Sequence, residues 1–376
     1  MIRLTIPSIE EDDLEAVREA VASGLLIQGP RVKAFEEVVA DLVGARHGIA
    51  VSNCTCALQL ALAALDVGPG DLCVVTAYSW ITTANVIELC GARPVFVDID
   101  PCTFNIDLNQ LENVLSGLMS SAETAARVKA VLPVHTFGQV AEMQKLSELC
   151  GRWNVPVVED AACALGATLG GRQAGSWGTM SCFSFHPRKA VTTGEGGMVT
   201  TDDDAFARRI RALRNHGQDP EAAHADFVMP GYNYRLTEFQ AAMGLTQMSK
   251  LERILDARRR AAQRYDELLD GTELVKPFVA PGSGHVYQSY VALLPADAAP
   301  RRATIIKEAK EAGVETQVGT IHMPLTTFYR EKYGYVEGDF PVTDAVAARA
   351  FTLPLFEAIT EEQQQRVVDV VRGLLG

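Results

Sequence analysis

Short apolar segments alternate with helical patterns through residues 1–250, and this alternation constrains the fold more than any other feature of the chain. Candidate strands recur along this stretch at 73–76, 94–97, 130–134, 155–158, 182–185 and 198–201. Candidate helices lie between them, at 57–65, 107–119 and 140–150. Strands that alternate with helices pack as a mostly parallel sheet with helices on both faces. The sequence therefore predicts a large α/β domain.

Helix signals also precede this stretch. Ser8 and Glu11 have the spacing of a capping box, and Gly24 is positioned to end the helix that the box would begin. Apolar residues at helical spacing over 35–42 predict a second amphipathic helix. Both helices are expected to belong to the large domain.

The pattern changes beyond residue 250. The predicted elements are one long helix over 235–269, strands at 287–294 and 314–318, and helices at 302–312 and 360–375. Gln363 completes a capping box with Thr360 at the start of the last helix. Fewer strands mixed with helices predict a smaller α+β domain, so the expected domains are 1–250 and 251–376.

Charge and apolar content exclude several classes of protein. The chain has 34 Lys and Arg residues against 47 Asp and Glu residues, and its net charge is −13. An acidic surface repels phosphate backbones and anionic membranes, so we expect no nucleic-acid partner and no membrane partner. The N-terminus has no signal-peptide pattern, and no apolar segment approaches the length of a membrane span. We therefore expect a cytoplasmic protein.

Cysteine usage is consistent with that compartment. All eight cysteines lie within the first 182 residues at irregular spacings, which is typical of reduced thiols rather than of a disulfide framework. Cys54 and Cys56 form a C-x-C pair, but no second pair with ligand spacing follows, so no metal site is predicted.

Chemically useful side chains follow two of the predicted strands. Asp160 comes after the strand at 155–158, where ligands of open α/β sheets bind, and a buried carboxylate there is costly unless it meets a cation. Ser184 lies near the end of the strand at 182–185, and Lys189 follows that strand. A lysine, a carboxylate and a hydroxyl suit pyridoxal 5′-phosphate (PLP), because they supply a Schiff base, a pyridinium partner and a phosphate ligand. Taken singly, each has a structural explanation: a helix cap for Asp160 and a solvated surface position for Lys189.

Several ordered segments together resemble the DegT/StrS family of sugar aminotransferases, which are fold-type I PLP enzymes. The most similar stretch is 159–217, which contains the Ser-Phe-His-Pro-x-Lys block that ends at Lys189. Further similar segments are 52–58, 79–85, 94–100, 231–236 and 351–354. The resemblance covers nearly the whole chain and implies a fold-type I transferase with a large α/β domain and a smaller α+β domain.

The resemblance also implies a role for each matching residue. Lys189 would form the Schiff base with the cofactor, and Asp160 would pair with its pyridinium nitrogen. The turn at Thr55 and Cys56 would bind the phosphate together with Ser184, and Trp80 would cover the ring. Asn233 would reach the phosphate of a neighbouring subunit, which implies a homodimer with shared active sites. The alternatives are core packing for Trp80 and a self-satisfied loop amide for Asn233.

Three positions depart from the family pattern. Cys54 replaces the glycine that usually precedes Thr55, and Cys163 replaces the Gln or His that usually contacts the phenolic oxygen of the cofactor. The segment 322–328 does not align with the usual sugar-site histidine, so His322 is interpreted either as a substrate contact or as a polar residue at the domain junction.

The implied reaction transfers an amino group from an amino acid, expected to be L-glutamate, to a keto sugar, expected to be a nucleotide-linked 4-keto-6-deoxy hexose. The block at 192–197 is closer to members that aminate C4 than to those that aminate C3. The alternatives are amination of a cyclitol or other cyclic ketone, dehydration of a deoxysugar, and a non-catalytic PLP-binding regulator. Lys189 argues against the dehydratase, and the intact Lys, Asp and Ser set argues against the regulator.

Overall fold

The computed structural model describes residues 1–375, which form fourteen α-helices and fourteen strands. The helices are α1 (Glu11–Ala22), α2 (Pro30–Val43), α3 (Cys54–Ala64), α4 (Thr82–Leu89), α5 (Leu108–Met119), α6 (Ala122–Ala125), α7 (Met143–Gly151), α8 (Asp204–Arg214), α9 (Glu238–Ser249), α10 (Leu251–Leu268), α11 (Arg302–Glu311), α12 (Thr327–Tyr333), α13 (Pro341–Arg349) and α14 (Glu361–Leu375). The strands are β1 (His47–Val51), β2 (Leu72–Thr76), β3 (Tyr78–Ser79), β4 (Arg93–Val97), β5 (Val128–Leu132), β6 (Val158–Asp160), β7 (Thr168–Leu169), β8 (Arg172–Gln173), β9 (Met180–Ser184), β10 (Gly197–Thr201), β11 (Ser283–Gly284), β12 (Tyr290–Leu293), β13 (Ile321–His322) and β14 (Ala350–Leu353).

A central sheet organises the first part of the chain. Strands β4, β2 and β5 pair in parallel, and β6, β9, β10 and β1 form a second group. Parallel bridges from Val131 to Val157 and from Val134 to Asp160 join the two groups beside β6. Only β10 runs antiparallel to its neighbours β9 and β1. The predicted class, a mostly parallel α/β fold, is confirmed.

Alternating residues of the central strands fill two separate cores. Val74, Val131, Phe183 and Met198 pack in one apolar cluster. Their direct neighbours Val75, Leu132, Cys182 and Val199 pack in another. Because successive side chains of a strand point to opposite faces, both faces of the sheet are covered by other elements. This double burial explains why the strands are apolar throughout rather than alternating with polar residues.

The C-terminal part has its own core around the antiparallel pair β12 and β14. Tyr265, Tyr290, Phe351 and Val368 are buried together there, between the pair and the helices α10, α11 and α14. The N-terminal residue Ile2 bridges to Val314 in this part. The domain boundary near residue 250 stays a prediction.

Beyond residue 235, two local predictions were wrong and one was confirmed. The predicted helix over 235–269 is divided at Lys250, which ends α9 and precedes α10. The predicted strand at 314–318 makes only single bridges, at Val314 and at Gln317. The Thr360 capping box is present, since the backbone N–H groups of Thr360 and Gln363 each donate to the other residue's side chain at 3.0 and 3.1 Å.

The predicted cap of the first helix was also misplaced. The backbone N–H of Glu10 donates to the Asp13 carboxylate at 2.8 Å, so the capping interaction lies two residues beyond Ser8. The Ser8 hydroxyl instead donates to the side chain of Glu357. The Ser8 hydroxyl is therefore used in a tertiary contact and not in the predicted helix cap.

Among residues 1–375, none of the helices combines the length and the apolar composition that a membrane crossing requires.

Candidate active site

Asp160 ends β6 at the carboxyl edge of the sheet, where its side chain is buried. Its Oδ2 accepts a hydrogen bond from the Thr83 hydroxyl at 2.6 Å, and its Oδ1 accepts one from the Ala162 backbone N–H at 3.2 Å. A carboxylate offers about four acceptor positions, and neither donor here is a cation. Asp160 is therefore a buried carboxylate with acceptor capacity that the protein leaves unused.

Lys189 follows β9, the strand that pairs with β6, and its Nζ lies 3.1 Å from the Cys163 Sγ. Burial lowers the pKa of Lys189, but the Cys163 sulfur and the Asp160 carboxylate raise the pKa by more, so the balance is upward. Burial and the Asp160 carboxylate likewise raise the pKa of Cys54 well above its usual range. The structure thus brings Lys189, Asp160, Cys163 and Cys54 into one cluster.

Glu159, the residue before Asp160, points to the other side of β6 and is fully buried. It accepts five hydrogen bonds: from His135 Nε2 at 2.8 Å, from the backbone N–H groups of Gly175, Trp177 and Gly178 at 2.9, 2.8 and 2.6 Å, and from Ser181 Oγ at 2.9 Å. Burial raises the pKa of Glu159, but the hydrogen bonds from His135, Gly178 and Gly175 outweigh it, so the pKa is lowered overall. This saturated carboxylate anchors the loop after β8 to the strand that carries Asp160.

A cradle for an anion lies where the ends of β9 and β10 meet the first turn of α3. Ser184 pairs with Gly197 across these strands. A Cβ built on Gly197 would lie 2.4 Å from the backbone carbon of Asn53, so only glycine permits this approach. Because the N-terminus of α3 presents backbone N–H groups and the positive end of the helix dipole, it favours an anion.

One backbone N–H group of the α3 turn is already used within the turn. Asn53 is its N-cap, and its side chain accepts the Cys56 backbone N–H at 2.9 Å, so that N–H is already engaged. Thr55 lies exposed in the same turn. Cys54 is the first residue of α3 and adopts helical backbone geometry, which accommodates its side chain.

Trp80 lies between β3 and α4, and 63% of its surface is exposed, although tryptophan is a residue that proteins usually bury. Three residues later, Thr83 donates to Asp160, so this turn runs directly past the carboxylate. Thr83 is a site residue that sequence reasoning missed. Thr83 lies in the segment 79–85, which resembles the family, but the type and spacing of its residues do not distinguish Thr83 from Thr82.

Asn233 and His322 lie on other segments than those that carry Lys189 and Asp160. Asn233 is exposed and bridges to Asn215, and the next residue, Tyr234, accepts the Ser52 backbone N–H through its carbonyl at 2.8 Å. His322 lies in β13, which pairs with β3.

The His322 ring is held by one of its two nitrogens. Nε2 lies 2.8 Å from an Asp344 carboxylate oxygen, while Nδ1 is buried without a hydrogen-bond partner among the described residues. Because β13 pairs with β3, His322 lies beside Tyr78, two residues before Trp80.

These residues fit PLP. The under-satisfied Asp160 carboxylate suits a protonated ring nitrogen, Lys189 supplies a primary amine, and the N-terminus of α3 beside Gly197 suits a phosphate. The exposed Trp80 ring is available to cover a planar ligand.

Comparison with known proteins gives a consistent result. The profile of the DegT/DnrJ/EryC1/StrS aminotransferase family matches residues 7–372. The chain is 36% identical over 377 residues to the GDP-perosamine synthase of Caulobacter vibrioides, a match that covers 100% of this chain and 98% of that protein.

Solved structures agree with the sequence comparison. The aminotransferase TlmJ from Streptoalloteichus hindustanus superposes with a TM-score of 0.90 at 32% identity, covering 99% of this chain and 98% of that one. The PLP form of the sugar aminotransferase Spr1654 from Streptococcus pneumoniae, described as putative, superposes with a TM-score of 0.91 at 27% identity, covering 100% of both chains.

Proposed function

The chain belongs to the DegT/DnrJ/EryC1/StrS aminotransferase family, and on that premise we propose that it aminates a nucleotide-linked 4-keto-6-deoxy hexose with L-glutamate as the donor. The proposal includes PLP as the cofactor, held covalently by Lys189. The likeness to a GDP-perosamine synthase supports the nucleotide-linked sugar, and the likeness to a PLP-form structure supports the cofactor.

One observation carries the proposal: Asp160 and Lys189 converge at adjacent strand ends while Asp160 keeps unused acceptor capacity. A buried carboxylate in that state has few structural explanations, because an unpaired buried charge destabilises the protein that holds it. A cationic ring nitrogen beside a lysine amine accounts for both residues at once.

PLP, when bound, carries the amino group between the two half-reactions and accepts the electron pair of the substrate carbon. Asp160 would hold the proton of the ring nitrogen, and Ser184 and Thr55 would hold the phosphate. The Cys56 N–H, already bonded to Asn53, is not free for it. Trp80 would cover one face of the ring and exclude water from it, and Cys163, which lies beside Lys189, would face the phenolic oxygen.

Lys189 has a second task once its Nζ is free of the cofactor. It would remove the proton from the donor's carbon that bears the nitrogen in the first half-reaction, and would give a proton to the carbon of the sugar that receives the nitrogen in the second. The Cys163 sulfur, at 3.1 Å, positions the Nζ in this state. His322 is proposed as a contact of the sugar, since it approaches the Trp80 segment through β3.

The proposal also includes a homodimer in which Asn233 of one chain reaches the phosphate of its partner. Exposed apolar side chains support an interface beside that loop. Leu25, Leu26 and Ile27 are exposed next to the start of α9, where the Leu26 carbonyl accepts the Glu238 N–H at 3.2 Å, and Tyr232 and Phe239 are exposed nearby. A patch of this kind is typical of a protein–protein interface.

Covalent attachment is the first test. Purified protein loaded with PLP is expected to absorb in the visible, to change its spectrum on addition of glutamate, and to yield a borohydride-stable adduct on Lys189 in peptide mapping. Lys189→Ala is expected to give no adduct and to lose about four orders of magnitude in turnover. An adduct on another lysine, or a colourless wild-type protein, would contradict the proposal.

Substrate class is tested by incubating the loaded enzyme and glutamate with a panel of nucleotide-linked keto sugars, free keto sugars and cyclic ketones, with products read by mass. Amination of a nucleotide-linked 4-keto sugar supports the proposal. Amination confined to cyclic ketones would replace it with the cyclitol alternative.

The shared site is tested by complementation. Lys189→Ala and Asn233→Ala are mixed, unfolded and refolded together, after Asn233→Ala alone has been shown to be impaired. Partial recovery of turnover is expected, because one site of a mixed dimer carries both substitutions and the other carries neither. A fully active monomer in sedimentation experiments would refute the shared site.

A further inference from the structure

The hydroxyl of Thr83 is the strongest hydrogen-bond donor to Asp160. The Oγ1–Oδ2 distance of 2.6 Å is in the range of charge-assisted O–H···O⁻ bonds, and both side chains are buried. The other acceptors in reach of Thr83 are the Trp80 carbonyl and the Ser79 hydroxyl, each at 3.4 Å. Because a hydroxyl has a single proton, the shorter contact takes it, and the Thr83 proton lies on the line to Asp160.

Ser79 extends this arrangement. Its hydroxyl lies 3.4 Å from the Thr83 oxygen, and since the Thr83 proton is directed at Asp160, Ser79 is the donor in that contact. Ser79 belongs to β3, which is paired with Ile321 of β13. Ser79 is therefore a weak second neighbour of this arrangement, in a strand that pairs with the C-terminal part of the protein.

The second donor to Asp160 cannot replace Thr83. The Ala162 N–H is 3.2 Å from Oδ1, the longer of the two contacts, and it belongs to the same local turn as Asp160. With that contact alone, the carboxylate can rotate about its Cβ–Cγ bond. With Thr83 fixed on α4, each oxygen has one donor, so the plane of the carboxylate and its free acceptor positions are set.

We propose that Thr83 is a positioning residue of the transamination reaction, which acts through Asp160 to fix the carboxylate against the ring nitrogen of the cofactor. This inference rests on the proposed function. Thr83 does not touch the reacting atoms; it sets the direction in which Asp160 presents its acceptor positions.

Three variants test the proposal in PLP-loaded protein. Thr83→Val removes the hydroxyl at nearly constant volume, and Thr83→Ser keeps it. Thr82→Val is the matched control, because adjacent positions on a helix do not face the same direction and the substitution is identical. For each variant, the visible absorption of the bound cofactor is titrated against pH, and the dissociation constant of PLP and the turnover are measured.

Thr83→Val is expected to shift the midpoint of the spectral titration by about one pH unit, to weaken PLP binding about tenfold and to lower turnover between tenfold and a hundredfold. Thr83→Ser is expected to restore the midpoint and most of the turnover, and Thr82→Val is expected to match wild type. A purely structural role would lower the stability of Thr83→Val and leave the spectral midpoint unchanged.

The outcomes separate this inference from the function on which it rests. A wild-type protein that never becomes coloured with PLP defeats the proposed function itself. A coloured Thr83→Val protein with a wild-type titration midpoint, or a Thr82→Val protein shifted equally, overturns only the role of Thr83. Urea unfolding of each cofactor-free variant shows whether a loss of turnover comes from loss of the folded state.

Discussion

The two sides of β6 carry two buried carboxylates that are adjacent in sequence and opposite in hydrogen bonding. Glu159 accepts five hydrogen bonds, from a histidine, three backbone N–H groups and a serine. Asp160 accepts two. Both are buried in the same strand, so burial alone does not distinguish them. The two carboxylates differ in the number of hydrogen-bond donors that contact them.

The number of hydrogen-bond donors distinguishes a structural carboxylate from a ligand-binding one. A carboxylate whose acceptor positions are filled by the protein is part of the folded structure, and its removal leaves donors without partners. A carboxylate with vacant positions costs folding free energy until a ligand fills them. The following substitutions test this reading of Glu159 and Asp160.

Asp160→Asn is expected to have the largest effect, on catalysis. Asparagine keeps the size of the side chain but cannot hold the proton of the ring nitrogen, so turnover falls about a thousandfold, which corresponds to a barrier increase of about 4 kcal/mol. The cofactor-free protein is expected to unfold in urea at the same concentration as wild type or at a higher one, because an under-satisfied buried charge is lost. Turnover within a few-fold of wild type would show that Asp160 is structural.

Glu159→Gln is expected to act on stability instead. The amide group turns a donor toward the backbone N–H groups or toward His135, so the free energy of unfolding falls by about 3 kcal/mol. Turnover per folded, loaded molecule falls far less than in Asp160→Asn. A variant as stable as wild type would show that Glu159 does not stabilise the folded protein through its hydrogen bonds.

The same variant has a defined pH dependence. Because the folded-state pKa of Glu159 lies below its usual value of 4.5, its contribution to stability is present above pH 4.5 and is lost as the pH falls through the lowered pKa. Urea unfolding measured from neutral pH downwards should therefore show a shallower loss of stability in Glu159→Gln than in wild type below pH 4.5. Equal slopes would show that the pKa of Glu159 is not lowered in the folded protein.

Ser181→Ala is expected to have the smallest effect. It removes one of the five donors to Glu159 and leaves the other four, so the free energy of unfolding falls by about 1 kcal/mol and turnover stays within about twofold of wild type. Thermal unfolding and steady-state kinetics check both values. A loss of stability as large as that of Glu159→Gln would show that the five bonds act as one cooperative unit.

Much of this protein could be predicted before its structure. Apolar segments and their alternation with helices determine the α/β class, because a strand buried on both faces must be apolar on both. The positions of Asp160 and Lys189 after two strands, together with the order of the similar segments, determine the family and the cofactor that it implies. These inferences use only local pattern and order along the chain.

The tertiary structure decided which side chains serve the site. Thr83 lies 77 positions from Asp160, and Ser8 contacts Glu357 across 349 positions, so no local pattern contains either pairing. The same applies to Gly197, whose missing side chain admits the backbone of Asn53 at the start of α3. Sequence periodicity states whether a residue is buried, while hydrogen-bond saturation depends on donors that only folding brings together. For that reason the sequence predicted only that Asp160 follows a strand, whereas the fold gave Glu159 five hydrogen-bond donors and left the Asp160 carboxylate with two.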